Sequence, residues 1–280
     1  MAGGEGLSFF GRTLYDMHVH SDFSPDSDTP MADMCRRAVE LGLDGICFTD
    51  HAEFAPGDHI PGAAEMRRMG DEVRRLRSVH RDNLSICLGI EIGYYRGAAG
   101  DIVDFLDAYD FDFILGSVHV SGETCYSFPR SFDPGHDPMD YFSPYLRDLA
   151  SMVDEVDFDA LGHFDLPKRY GPAEGEETGL VEGSPLWDTV VDFLGEIVDR
   201  GKLLEINASG LRQNAKRLYP SGEILRAYRS AGGEAITLGS DSHATPDLGF
   251  GMEMAMAAAR EAGIARAARF SGRRASYYCI

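Results

Sequence analysis

The first apolar run of the chain ends Leu14-Tyr15-Asp16-Met17-His18-Val19-His20, and the last ends Ile236-Thr237-Leu238-Gly239-Ser240-Asp241-Ser242-His243. Each places two metal-type side chains two residues apart. On a strand such positions share a face. His18 and His20 thus present two imidazoles side by side, and Asp241 and His243 a carboxylate and an imidazole. Between them, Thr49-Asp50-His51, Leu88-Gly89-Ile90-Glu91, Gly116-Ser117-Val118-His119 and Gly162-His163-Phe164-Asp165 close four further apolar runs. If the first and last runs serve one site, their ends must meet. An open sheet spreads its strand ends along a line, whereas a barrel of parallel strands gathers them on one face. The pattern predicts a closed or nearly closed barrel.

The rest of the chain agrees. Apolar runs over 13–19, 45–49, 84–92, 112–119, 158–163, 203–207 and 235–240 alternate with amphipathic stretches near 30–41, 63–81, 101–108, 138–154, 185–200, 221–231 and 253–263. Seven strands, each followed by a helix, are the signature of a parallel α/β fold. Met66, Met69, Val73, Leu76 and Val79 recur at helical spacing and read as core packing. There is no internal repeat and no interdomain linker, so one domain is expected over 13–280, preceded by a flexible extension over 1–12. The Gly-, Pro- and acid-rich stretches 121–139 and 170–184 fall on the expected site face and could be lids.

Composition narrows the function. The 280 residues carry 46 acidic against 26 basic side chains, a formal charge of −20, which offers no basic face to nucleic acid. An acidic solvated surface accounts for most of that excess, and three bound divalent ions would return roughly six positive charges. Five scattered cysteines with no Cys-x-x-Cys pair suit a reducing compartment. The first residues lack a basic, apolar leader, and no run is long enough to span a membrane. A cytoplasmic protein acting on a small molecule is expected.

Six of the nine histidines lie in the strand-end clusters, and with Asp26, Glu91 and Asp241 they make nine candidate ligands. A lone His-x-His or a lone His163 is more often a packed core residue than a ligand. Clusters at the ends of successive strands are harder to explain that way. Imidazole and carboxylate without thiolate suit Zn, Mn or Fe. Nine ligands exceed what one ion takes, but a shared carboxylate lets them serve three. Closely spaced divalent ions acidify a bridging water and clamp the oxygens of a displacement at phosphorus. No Gly-x-Ser-x-Gly, Gly-x-x-x-x-Gly-Lys or Gly-x-Gly-x-x-Gly occurs, so serine acyl transfer, nucleoside-triphosphate use and dinucleotide redox chemistry lack support.

The order His18-x-His20, Asp50-His51, Glu91, Ser117-Val118-His119, Gly162-His163 and Ser240-Asp241-Ser242-His243 resembles the PHP (polymerase and histidinol phosphatase) family over about residues 13–250. Asp26 in Phe23-Ser24-Pro25-Asp26, the stretch Gly162-His163-Phe164-Asp165-Leu166-Pro167-Lys168-Arg169-Tyr170, and Glu205-Ile206-Asn207-Ala208-Ser209-Gly210-Leu211-Arg212 look like its monofunctional histidinol-phosphate phosphatases. The resemblance implies a distorted (β/α)7 TIM-like barrel with three divalent transition-metal ions. It implies one ion on His18, His20, Glu91 and Asp241, a second on Glu91, His119 and His163, and a third on Asp26, His51 and His243. Many relatives carry His where this chain has Asp26, and the harder oxygen ligand favours Mn or Fe there.

The implied activity is hydrolysis of L-histidinol phosphate to L-histidinol and phosphate, a step of histidine biosynthesis, by attack of a metal-bridging hydroxide. Glu91 and Asp241 would organise the ions, with Arg212 or Arg169 stabilising transition-state charge. Lys168, Arg169 and Arg212 are the candidate substrate-binding cations. Asp50, Asp165 and Asn207 could orient ligating imidazoles, although Asp50 could instead cap the segment that follows it. His59, His80 and His136 have no partner at ligand spacing. The alternatives are a family phosphoesterase for a nucleotide bisphosphate or phosphotyrosyl peptide, a polymerase-associated nuclease, which the charge opposes, and a metal-binding scaffold, which would not need a complete ligand set. The amidohydrolases also open with His-x-His, but they bridge their metals with a lysine, where this chain has Glu91.

Overall fold

The computed structural model describes residues 13–127, 139–170 and 180–280. The expected extension over 1–12, His136 and most of the two stretches read as lids lie outside them. The chain opens with β1 (Tyr15–Val19), α1 (Met31–Leu41), β2 (Gly45–Phe48), a short β3 (His51–Glu53), α2 (Ala63–Val79), β4 (Ser85–Gly93) and α3 (Ala99–Asp107). It continues with β5 (Phe113–Ser117), the small hairpin β6 (Val120–Ser121) and β7 (Thr124–Cys125), α4 (Met139–Glu155), β8 (Ala160–Leu161), α5 (Trp187–Asp199) and β9 (Leu203–Asn207). It ends with α6 (Gly222–Ser230), β10 (Ala235–Gly239), α7 (Met252–Glu261), β11 (Arg266–Ser271) and β12 (Arg274–Cys279).

Strands β1, β2, β4, β5, β8, β9 and β10 pair in that order, all parallel, and each is followed by a helix. This is the distorted (β/α)7 barrel. Its seam between β10 and β1 is stitched only at the carboxyl end, where His20 N–H donates to Ser242 O at 2.8 Å and Asp241 N–H to His18 O at 2.9 Å. At the other end β10 turns aside and pairs with β11. The β11–β12 hairpin was not foreseen: the sequence pattern suggests no element beyond 253–263. The hairpin closes the amino-terminal mouth of the barrel. Phe270 packs on Phe113 with ring centroids 4.9 Å apart, Arg269 bonds the Tyr15 hydroxyl at 2.6 Å, and Arg273 Nε meets Asp159 at 2.6 Å.

Period-2 alternation explains how one set of strands serves two purposes. Cys87-x-Gly89-x-Glu91, Phe113-x-Leu115-x-Ser117, Leu203-x-Glu205-x-Asn207 and Ala235-x-Thr237-x-Gly239 point inward. Their lower members, with Tyr15, Met17, Cys47, Ala160, Ala268 and Phe270, form a closed apolar plug. Of their upper members, Glu91, Ser117 and Asn207 are polar and reach the site, while Gly239 leaves room for Glu205 and His18. The intervening Ile86, Ile90, Ile92, Ile114, Leu204, Ile206, Ile236 and Leu238 pack outward against the helices. In β1 the alternation is reset. Asp16 pairs Ile46 and Val19 pairs Phe48, so Met17 and His18 together oppose Cys47. This β-bulge lets Met17 fill the plug while the next residue, His18, turns to the site.

Candidate metal centre

All nine expected ligands converge at the carboxyl end of the barrel, and Glu91 lies at their centre. Its Oε2 is 3.3 Å from His18 Nε2, 3.6 Å from His20 Nε2 and 3.0 Å from His51 Nδ1. Its Oε1 is 2.9 Å from His163 Nε2 and 3.4 Å from His119 Nε2. One carboxylate thus divides the imidazoles into two sets, the arrangement a bridge requires. Asp241 Oδ1 lies 3.6 Å from His18 Nε2 and 3.4 Å from His20 Nε2. Asp26 Oδ2 lies 3.1 Å from His243 Nε2 and 3.6 Å from His51 Nε2. Donor atoms of His18, His20 and Glu91, of Glu91, His119 and His163, and of His20, His51 and His243 each lie within 4.8 Å of one another.

The outer nitrogens show which way the imidazoles present their lone pairs. His18 Nδ1 is 2.7 Å from Glu205 Oε1, and His119 Nδ1 is 2.7 Å from Glu53 Oε1. His20 Nδ1 is 3.0 Å from Ser24 Oγ, whose own proton goes to Asp50 Oδ1 at 2.8 Å. Each Nδ1 is therefore the donor, and each Nε2 turns a lone pair inward. His18 and His20 Nε2 approach to 3.0 Å and those of His119 and His163 to 3.2 Å. Two imidazole nitrogens at that separation can hold a shared cation between them, so the donor set fits divalent metal.

Electrostatics agree. Burial pulls His20 down to about 3, helped by the neighbouring His243 and His51. Burial would also lower His18 and His51, but the carboxylates of Glu205, Glu91 and Asp241 around the first, and of Glu91, Asp26 and Glu53 around the second, hold both well above the usual imidazole range. Against the same burial penalty, Glu53 and Glu91 push His119 up to about 10. Conversely, burial opposes ionisation of Glu91, Asp241 and Glu53, yet facing imidazoles hold the first two well below the usual range and Glu53 at about 2. The carboxylates create a negative potential that, in the absence of metal, draws protons onto His18, His51, His119 and His243.

Glu53 has no role in the sequence reading, and Glu205 enters it only as the first residue of a stretch that resembles the family's. Glu53 was signalled by the i, i+2 spacing of His51-Ala52-Glu53 on β3, and Glu205 by its inward parity on β9. A Cβ at Gly93 would lie 1.8 Å from the Glu53 carboxylate, so glycine there makes room for it. Ser117 Oγ donates to Glu91 Oε1 at 2.7 Å, which orients the central carboxylate. Asp50 acts on His20 through Ser24, whereas Asn207 contacts the carboxylates of Glu205 and Asp241.

Asp165 and Lys168 need correction. Asp165 Oδ2 accepts from Lys168 Nζ at 3.0 Å and from Ser221 N–H at 3.2 Å, and it reaches no imidazole among the described residues. Lys168 is 2 % exposed and also donates to Leu180 O at 3.1 Å, so it is a buried tie beneath the site and not a substrate contact. In the interior each ion has the other as its counter-charge, which surface-basic reasoning could not anticipate. His59 forms a surface pair with Glu65, and His80 ends α2.

Over the cluster opens a cavity of about 580 Å³, walled by Asp58, Cys125, Leu166, Arg169, Arg212 and Gln213 among others. Arg212 donates from Nη2 to Asp241 O at 2.9 Å and lies over the Phe250 ring, while its Nη1 has no protein acceptor among the described residues. Arg169, in the turn Leu166–Tyr170, likewise keeps Nε without one. Two guanidinium groups thus stand beside the metal cluster with N–H capacity to spare.

The family described as PHP domain matches residues 16–209. Among curated proteins, a histidinol-phosphatase of Lactococcus lactis is 28% identical over 261 residues, covering 92% of this chain and 94% of its own. A probable histidinol-phosphatase of Deinococcus radiodurans is 26% identical over 257 residues, covering 89% of this chain and 94% of its own. The crystal structure of the Lactococcus lactis histidinol phosphate phosphatase, complexed with Zn, L-histidinol and phosphate, superposes with a TM-score of 0.79 at 25% identity, covering 94% of this chain and 99% of that one. No described helix is long and apolar enough to cross a membrane.

Proposed function

The chain belongs to the PHP family, and from that premise we propose that it hydrolyses L-histidinol phosphate to L-histidinol and phosphate with the help of divalent metal ions. The observation that carries the proposal is the pairing of six imidazoles and three carboxylates, with Glu91 at their centre, with two under-used arginines in one cavity. The full-length likeness to histidinol-phosphatases supports the choice of substrate.

His18, His20, Glu91 and Asp241 would hold one ion, Glu91, His119 and His163 a second, and Asp26, His51 and His243 a third. Ions held there supply Lewis acidity toward the phosphoryl oxygens and lower the pKa of a water that attacks phosphorus. The protein groups do the rest. Glu205, Glu53 and Ser24 keep His18, His119 and His20 in the Nδ1–H tautomer. Arg212 and Arg169 supply a charged donor fork to the phosphate, which strengthens as negative charge builds in the transition state. Arg169 follows β8 and Arg212 follows β9, whereas Asp58 and Glu53 lie near β3, across the barrel in strand order. A phosphate dianion at one end and a cationic amine at the other, as in histidinol phosphate, match that polarity.

The test is phosphate release from a panel of esters by enzyme whose metals have been quantified. Histidinol phosphate should give the highest kcat/KM, exceeding a nucleotide bisphosphate and a phosphotyrosyl peptide by on the order of a hundredfold. A different preferred ester would overturn the substrate and leave the metal centre standing.

A further inference from the structure

Glu205 is buried behind the candidate ligands and reaches two residues assigned to different ions. Its Oε1 accepts from His18 Nδ1–H at 2.7 Å, and its Oε2 accepts from the backbone N–H of His163 at 2.8 Å. Asn207, two residues along the same inward face of β9, extends the link. Its Oδ1 accepts from Ser209 N–H at 2.9 Å, which fixes the orientation of the amide. Its Nδ2 therefore faces Glu205 Oε2 at 3.2 Å and Asp241 Oδ2 at 3.3 Å. The close packing depends on a missing side chain: a Cβ at Gly239 would lie 2.2 Å from Glu205 Oε1 and 2.5 Å from His18 Cβ.

We propose that Glu205, with Asn207, is a positioning residue that couples two of the three ion sites, the one on His18, His20 and Asp241 and the one on His119 and His163. Both oxygens of Glu205 are acceptors toward N–H donors on different strands, so the two sites share a brace besides sharing Glu91. The third site, on Asp26, His51 and His243, has no contact with this brace among the described residues. Loss of the brace should loosen two ions together and spare the third. A glutamine cannot replace Glu205, because its amide nitrogen would confront one of the two N–H donors.

The inference rests on reading the nine side chains as ion ligands and is independent of the substrate. The test is release of Zn²⁺ from the fully loaded full-length protein to a competing chelator, followed by metal analysis, for the parent and for Glu205→Gln. In the variant two ions should leave together at roughly ten- to a hundredfold weaker affinity, with the third held as in the parent. Release indistinguishable from the parent, or weakening of one ion alone, would overturn the coupling. Should Glu205→Gln fail to fold by circular dichroism, Asn207→Ala removes the amide link and leaves the carboxylate. It should weaken the same two ions, and weakening of all three or of none overturns the proposal. A parent that binds fewer than two ions would instead sink the ligand assignment itself.

Discussion

Arg212 Nη2 donates to the backbone carbonyl of Asp241 at 2.9 Å, so the phosphate-binding candidate is fastened to the main chain of a metal-ligand candidate. Asp241 has φ 53, in the left-handed region. That conformation costs a non-glycine residue energy and is sustained only where surroundings enforce it. Here Asp241 N–H is held by His18 O at 2.9 Å, which leaves the carboxylate facing His18 and His20 and the carbonyl facing Arg212. One strained residue thus sets both the metal side and the phosphate side of the cavity.

Arg212→Lys keeps the charge but cannot both hold the Asp241 carbonyl and offer a fork to phosphate. We expect kcat/KM for histidinol phosphate to fall roughly ten- to a thousandfold, equivalent to 1.4–4 kcal/mol of transition-state binding, with metal content unchanged. Arg169→Lys should behave in the same direction. Steady-state kinetics on both variants decide the matter. Parent-like turnover in both would mean that the phosphate is held without these side chains.

Glu91→Gln preserves the size of the central group and removes the charge that faces five imidazoles. Activity should fall by at least about a hundredfold, accompanied by loss of metal. Metal analysis beside the kinetic assay separates a bridging role from a merely local one. A variant with parent-like turnover and metal content would show that Glu91 is no bridge.

The barrel and the convergence of its candidate ligands were legible because two periodicities coincide. Inward residues of a strand recur every second position, and ligands such as His18, Glu91 and Asp241 appear where apolar runs stop. The ligand-orienting residues were harder to see. Glu205 stands in a stretch that resembles the family's, but beyond its parity on the strand nothing there marks it as the acceptor of an imidazole N–H. Lys168 misled because a basic residue beside Arg169 reads as surface, while the chain buries it against Asp165. The β11–β12 hairpin escaped because Arg266-Ala267-Ala268-Arg269 has weak strand propensity. Its local signals were Phe270, Tyr277 and Tyr278, which favour strand, and Gly272, which with Arg273 forms a two-residue turn at φ 53 and 62.

The buried pair gives a contrasting expectation. Lys168→Met leaves Asp165 charged and unpaired in the interior, a change that typically costs about 3–5 kcal/mol. The substitution should lower Tm markedly while KM for histidinol phosphate stays within about twofold of the parent, since Lys168 does not line the cavity. Thermal unfolding and kinetics at a temperature where the variant is folded provide the check. An unchanged Tm with a raised KM would restore Lys168 to the substrate site.

Metal removal should change the pH dependence of stability. Without ions, His18, His51 and His243 are raised and His119 reaches about 10, against an ordinary imidazole value of 6.5, despite the burial that opposes their charge. A folded-state pKa above the unfolded one stabilises fully below the unfolded value and is lost as pH rises through the folded one. Metal-free protein should therefore lose Tm between about pH 7 and 10. Ions must displace these protons to bind, so loading at pH 7.5 should release protons, seen as a buffer-dependent calorimetric heat. The loaded protein should hold about three ions per chain and behave oppositely at the acid end, gaining Tm as pH rises from 5 to 7 and protons cease to compete. Ions at a thousand times their dissociation constant add roughly 4 kcal/mol per site. Parallel melts of chelated and reloaded protein across that range are the measurement. Superimposable curves, or a saturating content of one ion or none, would refute the trinuclear centre.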